Sequence, residues 1–223
     1  SIRGYVLNRQ AFLTEEEKQK DPLLEFGRNA GVELNYSDEA GKWNLWSNYH
    51  HSFKPGIQTN NQYYSIGGVY NVRTFEAVID AGSLGTNYYT DMGFIERVEN
   101  YDALRDTVIR LGFKQIYTNA TYKIFPKKGP INQHEFEAEN FIVFNPDLSF
   151  NENNSSLEYN MMFKNTSMFI ISYNHTQLQL QFPISFTDAT PLPKGKYTYG
   201  AASTFYRSDF RKSFGFNIGG YYG

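Results

Sequence analysis

The chain lacks cysteine, long apolar runs and a marked excess of charge of either sign. Without cysteine it has no disulfide framework, no thiolate metal site and no cysteine nucleophile. No stretch of about 18 apolar residues marks a transmembrane helix. With 21 basic and 23 acidic side chains, the chain is not a nucleic-acid-binding protein of the usual basic kind.

The sequence also lacks the motifs of metal and cofactor sites. His50 and His51 are adjacent, so on a strand they would point to opposite faces and could not share one metal ion. No His-Glu-x-x-His motif and no carboxylate-rich calcium loop occurs. The glycine-rich segment 80–85 lacks the Lys-Ser/Thr of a phosphate-binding loop. We therefore expect neither a metal nor a cofactor.

Aromatic residues are what the chain has in excess. They make up 17% of the sequence, with 18 Tyr and 19 Phe, whereas all hydrophobic residues together reach only 40%. Much of the apolar surface is therefore tyrosine, a ring with a polar tip. Tyrosine and tryptophan are typical of a boundary between water and lipid, where the ring is half hydrated.

Apolar and polar residues alternate over long segments, which predicts β-strands. In 177–182 the residues Leu178, Leu180 and Phe182 share one face and three glutamines share the other, which we expect to face inward. In 43–49 the alternation puts Trp43 and Trp46 on opposite faces. The predicted strands are 2–13, 28–38, 42–53, 61–72, 73–82, 111–125, 134–145, 157–164, 166–175, 176–187, 195–207 and 211–223.

Two segments interrupt this alternation and predict short helices. Segment 14–26 begins with Thr14, and Glu17 follows three residues later, which is the pattern of a capping box. Pro22 limits that helix to about two turns. Segment 98–111 places Val98, Tyr101 and Leu104 at helical spacing.

The length of the strands favours a membrane barrel over a soluble β-sandwich. Strands of about 9 to 11 residues with one apolar and one polar face are long enough to cross a bilayer when tilted. We expect an all-β fold, an antiparallel up-and-down outer-membrane-type β-barrel with two helical excursions. Strand patterns run to both ends of the sequence, so we expect residues 1–223 to form one barrel region that is incomplete at both ends. A soluble sandwich is the alternative.

Residues 85–101, GTNYYTDMGFIERVENY, contain the most specific motif of the chain. This segment resembles a family of Bacteroidota outer-membrane proteins of uncharacterised function. Members of that family join a C-terminal β-barrel to an N-terminal domain like the family-9 carbohydrate-binding modules. The resemblance implies a location in the outer membrane of a Gram-negative bacterium. It implies outer-membrane lipid as a partner, with glycans or other outer-membrane proteins as further partners, and no nucleic acid.

Three groups of residues are candidate ligand-binding sites. Asp91, Glu96 and Arg97 could form a tuned acid/base set or an ion pair that fixes a corner at Gly93 and Phe94. The second group is a row of three acidic side chains on one strand face, which could line a channel or simply be solvated. Its members are Glu135, Glu137 and Glu139.

Aromatic residues such as Trp43 and Trp46 form the third group. They could be a sugar-stacking platform, an interfacial girdle or part of a barrel core.

These features predict a protein that is a pore, a receptor or a membrane anchor for a carbohydrate-binding module, with no catalytic residues evident. One alternative is a surface glycan hydrolase with its site in the barrel loops. The other alternative is a soluble carbohydrate-binding β-sandwich.

Overall fold

A computed structural model describes residues 1–91, 95–185 and 190–223. Thirteen strands form most of it. They are β1 (Ile2–Gln10), β2 (Phe26–Ser37), β3 (Trp43–Phe53), β4 (Gln62–Val72), β5 (Phe75–Leu84), β6 (Glu99–Asp102), β7 (Thr107–Arg110), β8 (Phe113–Ile124), β9 (Ile131–Phe144), β10 (Phe150–Phe163), β11 (Met168–Leu180), β12 (Gly195–Arg207) and β13 (Asn217–Tyr222). One α-helix, α1 (Glu15–Lys20), precedes a 3₁₀ turn at Pro22–Leu24.

Eleven strands form one up-and-down sheet in the order β1-β2-β3-β4-β5-β8-β9-β10-β11-β12-β13. Every neighbouring pair in this sheet is antiparallel. The predicted all-β, antiparallel, up-and-down architecture is therefore confirmed. Within the described residues β1 and β13 are edge strands that do not pair with each other, so the sheet is open and no closed barrel is present.

Several strand boundaries differ from the sequence prediction, most clearly in β10, β11 and β13, which begins at Asn217 instead of residue 211. β11 runs unbroken through Asn174 and His175, where the sequence analysis placed a boundary between the predicted strands 166–175 and 176–187. Gln177 and Gln179 therefore share the face of Tyr173, and the prediction that they face inward is wrong. Segment 151–155, which lies outside the predicted strands, is part of β10, because cross-strand pairing on both sides extends through it.

One of the two predicted helical segments is confirmed. Thr14 caps α1, and the backbone amide of Thr14 donates to the Glu17 carboxylate in a complete capping box. The helix predicted over 98–111 is wrong, because this segment is the hairpin of β6 and β7. Val98 is buried, but Tyr101 and Leu104 are exposed, so the helical spacing has no common buried face to stabilise it. None of the helices in the described ranges is long and apolar enough to cross a membrane.

The register gives the sheet one apolar and one polar face. Paired residues of adjacent strands point to the same side, so a face can be followed from strand to strand. The apolar face carries exposed aliphatic side chains in mid-strand, including Val32, Ile66, Ile79, Leu157 and Ile171. The polar face carries buried polar side chains, including Asn29, Ser52, Ser65, Asn119 and Thr121.

The two ends of the sheet also differ. At one end, the loop end, the connections are 11–25, 54–61, 85–112, 145–149 and 181–194. At the other end, the turn end, they are 38–42, 73–74, 125–130, 164–167 and 208–216. The loop end therefore has the longer connections, and it also contains the only five buried hydrophobic residues of the described ranges. These are Leu84, Tyr88, Val98, Val143 and Leu180.

An aromatic row crosses the apolar face near the turn end. The register places Phe75, Tyr122, Phe136 and Tyr159 side by side on four neighbouring strands. Trp43 and Tyr70 continue the row on β3 and β4, with ring centroids 4.6 Å apart. Four of these six side chains are Tyr or Trp, the residue types that the sequence analysis associated with a boundary between water and lipid.

Candidate functional site

The middle of the polar face is lined by hydrogen-bonded acidic side chains of β9. The Tyr117 hydroxyl donates to Glu139 at 2.9 Å, and the Asn119 amide donates to Glu137 at 2.6 Å. Glu135 accepts from Gln133 at 2.8 Å and lies 3.5 Å from the Lys123 ammonium. The predicted single row of glutamates is therefore confirmed, and each one has a partner on the same face.

A tryptophan crosses this face through a gap left by a glycine. The indole N–H of Trp46 on β3 donates to the Asp80 carboxylate on β5 at 2.6 Å. Gly67 on β4 lies between them in register, and a Cβ there would contact the indole at 2.6 Å. Glycine is needed at this position because only a missing side chain lets the ring lie across β4.

The long connection 85–112 covers the polar face at the loop end. The Asn29 side chain on β2 donates to the Tyr89 carbonyl at 2.9 Å, and the Tyr89 amide donates to Ser52 on β3 at 3.1 Å. On the other side, the Ala103 amide donates to the Pro183 carbonyl beyond β11 at 3.1 Å. The described parts of the connection therefore reach β2 and β3 on one side of the polar face and the segment that follows β11 on the other.

Asp91 anchors the first side of this connection. Its carboxylate accepts from Arg9 of β1 at 2.7 Å and from Lys54 after β3 at 2.5 Å. Lys54 is 5% exposed at its side chain and also donates to the Leu23 carbonyl. Burial by itself would raise the pKa of Asp91, but the hydrogen bonds from Lys54 and Arg9 outweigh it and hold this pKa below its ordinary value. Asp91 is therefore an ionised anchor and a poor proton donor.

Gly27 on β2 makes room for this anchor. A Cβ at Gly27 would overlap the Asp91 carboxylate. Only glycine therefore lets the carboxylate approach the strand closely enough to meet both cations.

Arg97 anchors the second side of the connection. Its guanidinium contacts the Glu152 carboxylate of β10 at 3.2 Å and lies over the Phe141 ring of β9 at 5.1 Å. Arg97 follows Asp91 by only six positions, although their partners lie on β10 and β1. This short span indicates that the sheet curves around its polar face.

A small core and one arginine stabilise the connection close to its two anchors. Leu84, Tyr88 and Val98 pack in one cluster. Arg110 lies 4.0 Å from the Tyr89 ring centroid and donates to the Tyr88 carbonyl at 2.9 Å. These contacts are local and specific, so the described parts of the connection form an ordered cover over the loop end of the polar face.

A cavity of about 290 Å³ lies under the β6–β7 hairpin. Its lining includes Arg97, Tyr101, Phe113, Val143, Glu152 and Leu180. The wall is mixed, because Glu99, Asn100, Asn151, Gln179 and Gln181 line it together with these residues. The Arg97–Glu152 ion pair is already formed at its edge.

The structure separates residues that the sequence grouped. Asp91 pairs with Arg9 and Lys54, whereas Arg97 pairs with Glu152 and with Glu96 at 3.3 Å, so the described contacts form two anchors. Gly93 and Phe94, the predicted corner, lie outside the described residues. Trp43 and Trp46 lie on opposite faces and cannot form one stacking platform.

Sequence reasoning missed the cationic partners Arg9 and Lys54 and the acceptor Glu152. They lie 82, 37 and 55 positions from the residues that they bind, and no local pattern marks them. Only the order and register of the strands bring these residues together, and a local sequence pattern reveals neither.

The described residues define an open antiparallel meander with an exposed apolar face and a polar face that is covered at one end. Comparison of the chain with protein-family models, with curated proteins and with solved structures found no significant match. Within 1–91, 95–185 and 190–223, no group of three or more His, Asp or Glu side chains is placed to hold a metal ion.

Proposed function

We propose that this chain forms part of the wall of an outer-membrane β-barrel, with its apolar face toward lipid and its polar face toward the barrel interior. The supporting observation is that apolar side chains are exposed and polar side chains are buried, the reverse of a water-soluble protein. Leu157, at mid-strand on the apolar face, is 60% exposed, whereas Asn119 and Thr121 on the polar face are buried. In a lipid-facing barrel, outward apolar and inward polar side chains alternate in this way.

The free-energy cost of exposing apolar surface to water favours lipid around the apolar face. Exposing apolar surface to water costs about 25 cal/mol per Å², and the exposed aliphatic residues of mid-strand run across most of the sheet. A soluble sandwich would bury such a face against a second sheet. Among the described residues the only other sheet is the two-stranded β6–β7 hairpin, which packs at the loop end on the polar side.

The unequal ends support an orientation in the membrane. Outer-membrane barrels have short turns on the periplasmic side and longer loops on the extracellular side. The loop end is therefore the extracellular end, and the aromatic row lies at the periplasmic boundary, where aromatic girdles are found.

The cover formed by 85–112 favours a plugged barrel, acting as a receptor or as a membrane anchor, over a permanently open pore. The resemblance of 85–101 supports a place in the outer membrane of a Gram-negative bacterium, beside a carbohydrate-binding module. Asp91 is held by two cations, so it gives no support to a glycan hydrolase.

The two tryptophans provide a direct test. Trp43 and Trp46 are the only tryptophans of the chain and lie on opposite faces, so each single-tryptophan variant reports on one face. In liposomes of brominated lipid, the Trp46→Phe variant, which keeps Trp43, is expected to lose most of its fluorescence. The Trp43→Phe variant, which keeps Trp46, is expected to be quenched far less.

Equal quenching of the two variants would contradict the proposal, as would a monomer that stays in buffer without detergent. Removal of Trp46 also breaks its hydrogen bond to Asp80, so folding of that variant is checked first by circular dichroism.

A further inference from the structure

We infer that three neighbouring turns at the turn end form a basic rim that binds the headgroups of anionic phospholipids in the adjoining leaflet. The inference rests on the proposed function, because it names the class of lipid that contacts one end of the barrel wall. The turns are 73–74, 125–130 and 164–167. They contain four basic side chains and no acidic one, namely Arg73, Lys127, Lys128 and Lys164.

Backbone hydrogen bonds join the three turns into one rim. The Lys123 amide at the end of β8 donates to the Thr74 carbonyl at 2.8 Å. The Lys164 amide donates to the Pro130 carbonyl, also at 2.8 Å. The Arg73 guanidinium lies over the Phe125 ring of the next turn, 5.0 Å from the ring centroid. The four charges therefore occupy one continuous edge of the sheet.

The charge of the rim is not compensated within the chain. All four side chains are exposed, and among the residues that the structure describes none of them forms an ion pair. Acidic side chains of the adjoining strands lie on the polar face. There Glu135 pairs with Lys123 at 3.5 Å, and Glu76 accepts from Asn71 at 2.6 Å. The rim therefore attracts its counterions from outside the chain.

The loop end has the opposite balance of charge. The connection 11–25 contains five acidic and two basic side chains, and 85–112 contains five acidic and three basic ones. The two remaining turns of the turn end, 38–42 and 208–216, contain charges of both signs. The excess of positive charge is therefore a local feature of the three middle turns.

The basic residues lie at the level expected for lipid phosphates. Arg73 directly follows Val72, the last residue of β4, and Lys164 directly follows Phe163, the last residue of β10. Only two residues, Phe125 and Pro126, separate Lys127 from the end of β8. Each charge thus begins where the apolar strand ends. At this level of a bilayer, just outside the hydrocarbon, basic side chains attract anionic lipid.

The rim fits a lipid better than an acidic protein, because it continues the apolar face. A groove of about 590 Å³ on that face is lined by Tyr122, Phe136 and Leu157 and extends from the aromatic row toward mid-strand. A phospholipid can place its phosphate on the rim and an acyl chain along this surface. A zwitterionic headgroup brings its own cation to the phosphate, so an anionic headgroup is the better partner for four unpaired cations.

Quenching of Trp43 by lipid tests the inference. In the Trp46→Phe variant the remaining Trp43 lies beside Tyr70 on β4, the strand that ends next to Arg73. Its fluorescence therefore reports on lipid close to the rim. The variant is placed in mixed liposomes in which either the phosphatidylglycerol or the phosphatidylcholine is brominated. The ratio of the two quenching efficiencies measures the preference for the anionic headgroup.

The brominated anionic lipid is expected to bind next to Trp43 about fivefold more strongly than the zwitterionic one, which is the effect of one basic side chain at a membrane surface. Arg73→Gln combined with Lys127→Gln and Lys128→Gln should bring this ratio to about one. Salt at about 1 M should do the same, because it shortens the Debye length to about 3 Å.

Two control variants separate charge from folding. Lys18→Gln combined with Lys20→Gln and Lys194→Gln removes three charges from the loop end and should leave the ratio unchanged. Arg73→Lys keeps the charge of the rim and should keep the preference. Circular dichroism in liposomes checks that every variant is folded.

Equal quenching by the two lipids, or a preference that survives loss of the three rim charges, would overturn the inference. Equal quenching is also the result expected if the rim binds an acidic protein. The two proposals fail in different ways. If neither brominated lipid quenches Trp43, the lipid-facing wall is wrong as well. If both quench it equally, the wall stands and only the headgroup preference fails.

Discussion

The two faces of the sheet are stabilised in different ways. The polar face is held by directed bonds, such as Asn119 to Glu137, and by a covering connection with two ion-pair anchors. Most of the mid-strand apolar face consists of aliphatic and aromatic side chains that need only an apolar surrounding. The residue-specific contacts therefore lie on the polar face, whereas the apolar face needs only an apolar environment.

An arginine placed on each face in turn should reveal the difference between the two faces most strongly. Leu157 and Ser156 are neighbours on β10 that point to opposite faces. Leu157→Arg would put an arginine into lipid and should cost about 2 to 4 kcal/mol of folding free energy in a bilayer. Ser156→Arg, the matched control, lies beside Glu139 and should change stability little. Urea unfolding in liposomes measures both.

Equal tolerance of the two arginines would contradict a lipid-facing apolar face. A loss for Ser156→Arg larger than for Leu157→Arg would reverse the assignment of the faces.

Removal of the Asp91 carboxylate should have the second largest effect. Asp91→Asn leaves the nearly buried Lys54 without its anion, and Arg9 loses its partner as well. Because Arg9 is partly exposed, the expected cost is about 1 to 3 kcal/mol. The readout is faster hydrogen exchange over 85–91 and 95–112, with no change in the rest of the sheet.

Two variants sharpen this test. Gly27→Ala keeps every charge but fills the space of the Asp91 carboxylate, so it should release the same connection. Glu96→Gln removes an exposed carboxylate of the same connection and should leave exchange unchanged. Release by Glu96→Gln, or none by Asp91→Asn, would show that Asp91 is not the anchor.

Most of the fold could be predicted from the sequence, because it depends on local alternation. The opposite placement of Trp43 and Trp46 and the row Glu135 to Glu139 follow from period two alone. The continuous strand through Asn174 and His175 could not be predicted, since polar residues typical of turns are also tolerated in a strand paired on both sides. In segment 98–111 the spacing of apolar residues predicted a helix, but the pairing of β6 with β7 formed a hairpin instead.

The candidate site was less predictable than the fold. Asp91 and Arg97 were identified from a local motif, but their partners Arg9, Lys54 and Glu152 come from distant strands. Such pairs depend on strand order and curvature. A single sequence contains no local signal for either.

Acid should weaken the Asp91 anchor in a narrow pH range. The pKa of Asp91 is lowered in the folded protein, so its contribution is present above the ordinary carboxyl pKa of about 4 and is lost as the pH falls through the folded value. Hydrogen exchange over 85–112, read outside residues 92–94 and corrected for intrinsic rates, should stay constant from pH 7 to about 5 and accelerate below about pH 4. Asp91→Asn should show no acid step, and a step near neutral pH in the parent would contradict this assignment.

A directed bond on the apolar face should contribute least. In the aromatic row the Tyr159 ring lies 4.9 Å from Phe136, and its hydroxyl lies 2.6 Å from His134 Nδ1. Tyr159→Phe removes only the hydrogen bond and should cost about 0.5 to 1 kcal/mol. Tyr159→Leu also removes the ring contact and should cost up to about 1 kcal/mol more. Urea unfolding in liposomes separates the two contributions. If Tyr159→Phe cost as much as Asp91→Asn, directed bonds would matter equally on both faces, and the contrast between them would not hold at the turn end.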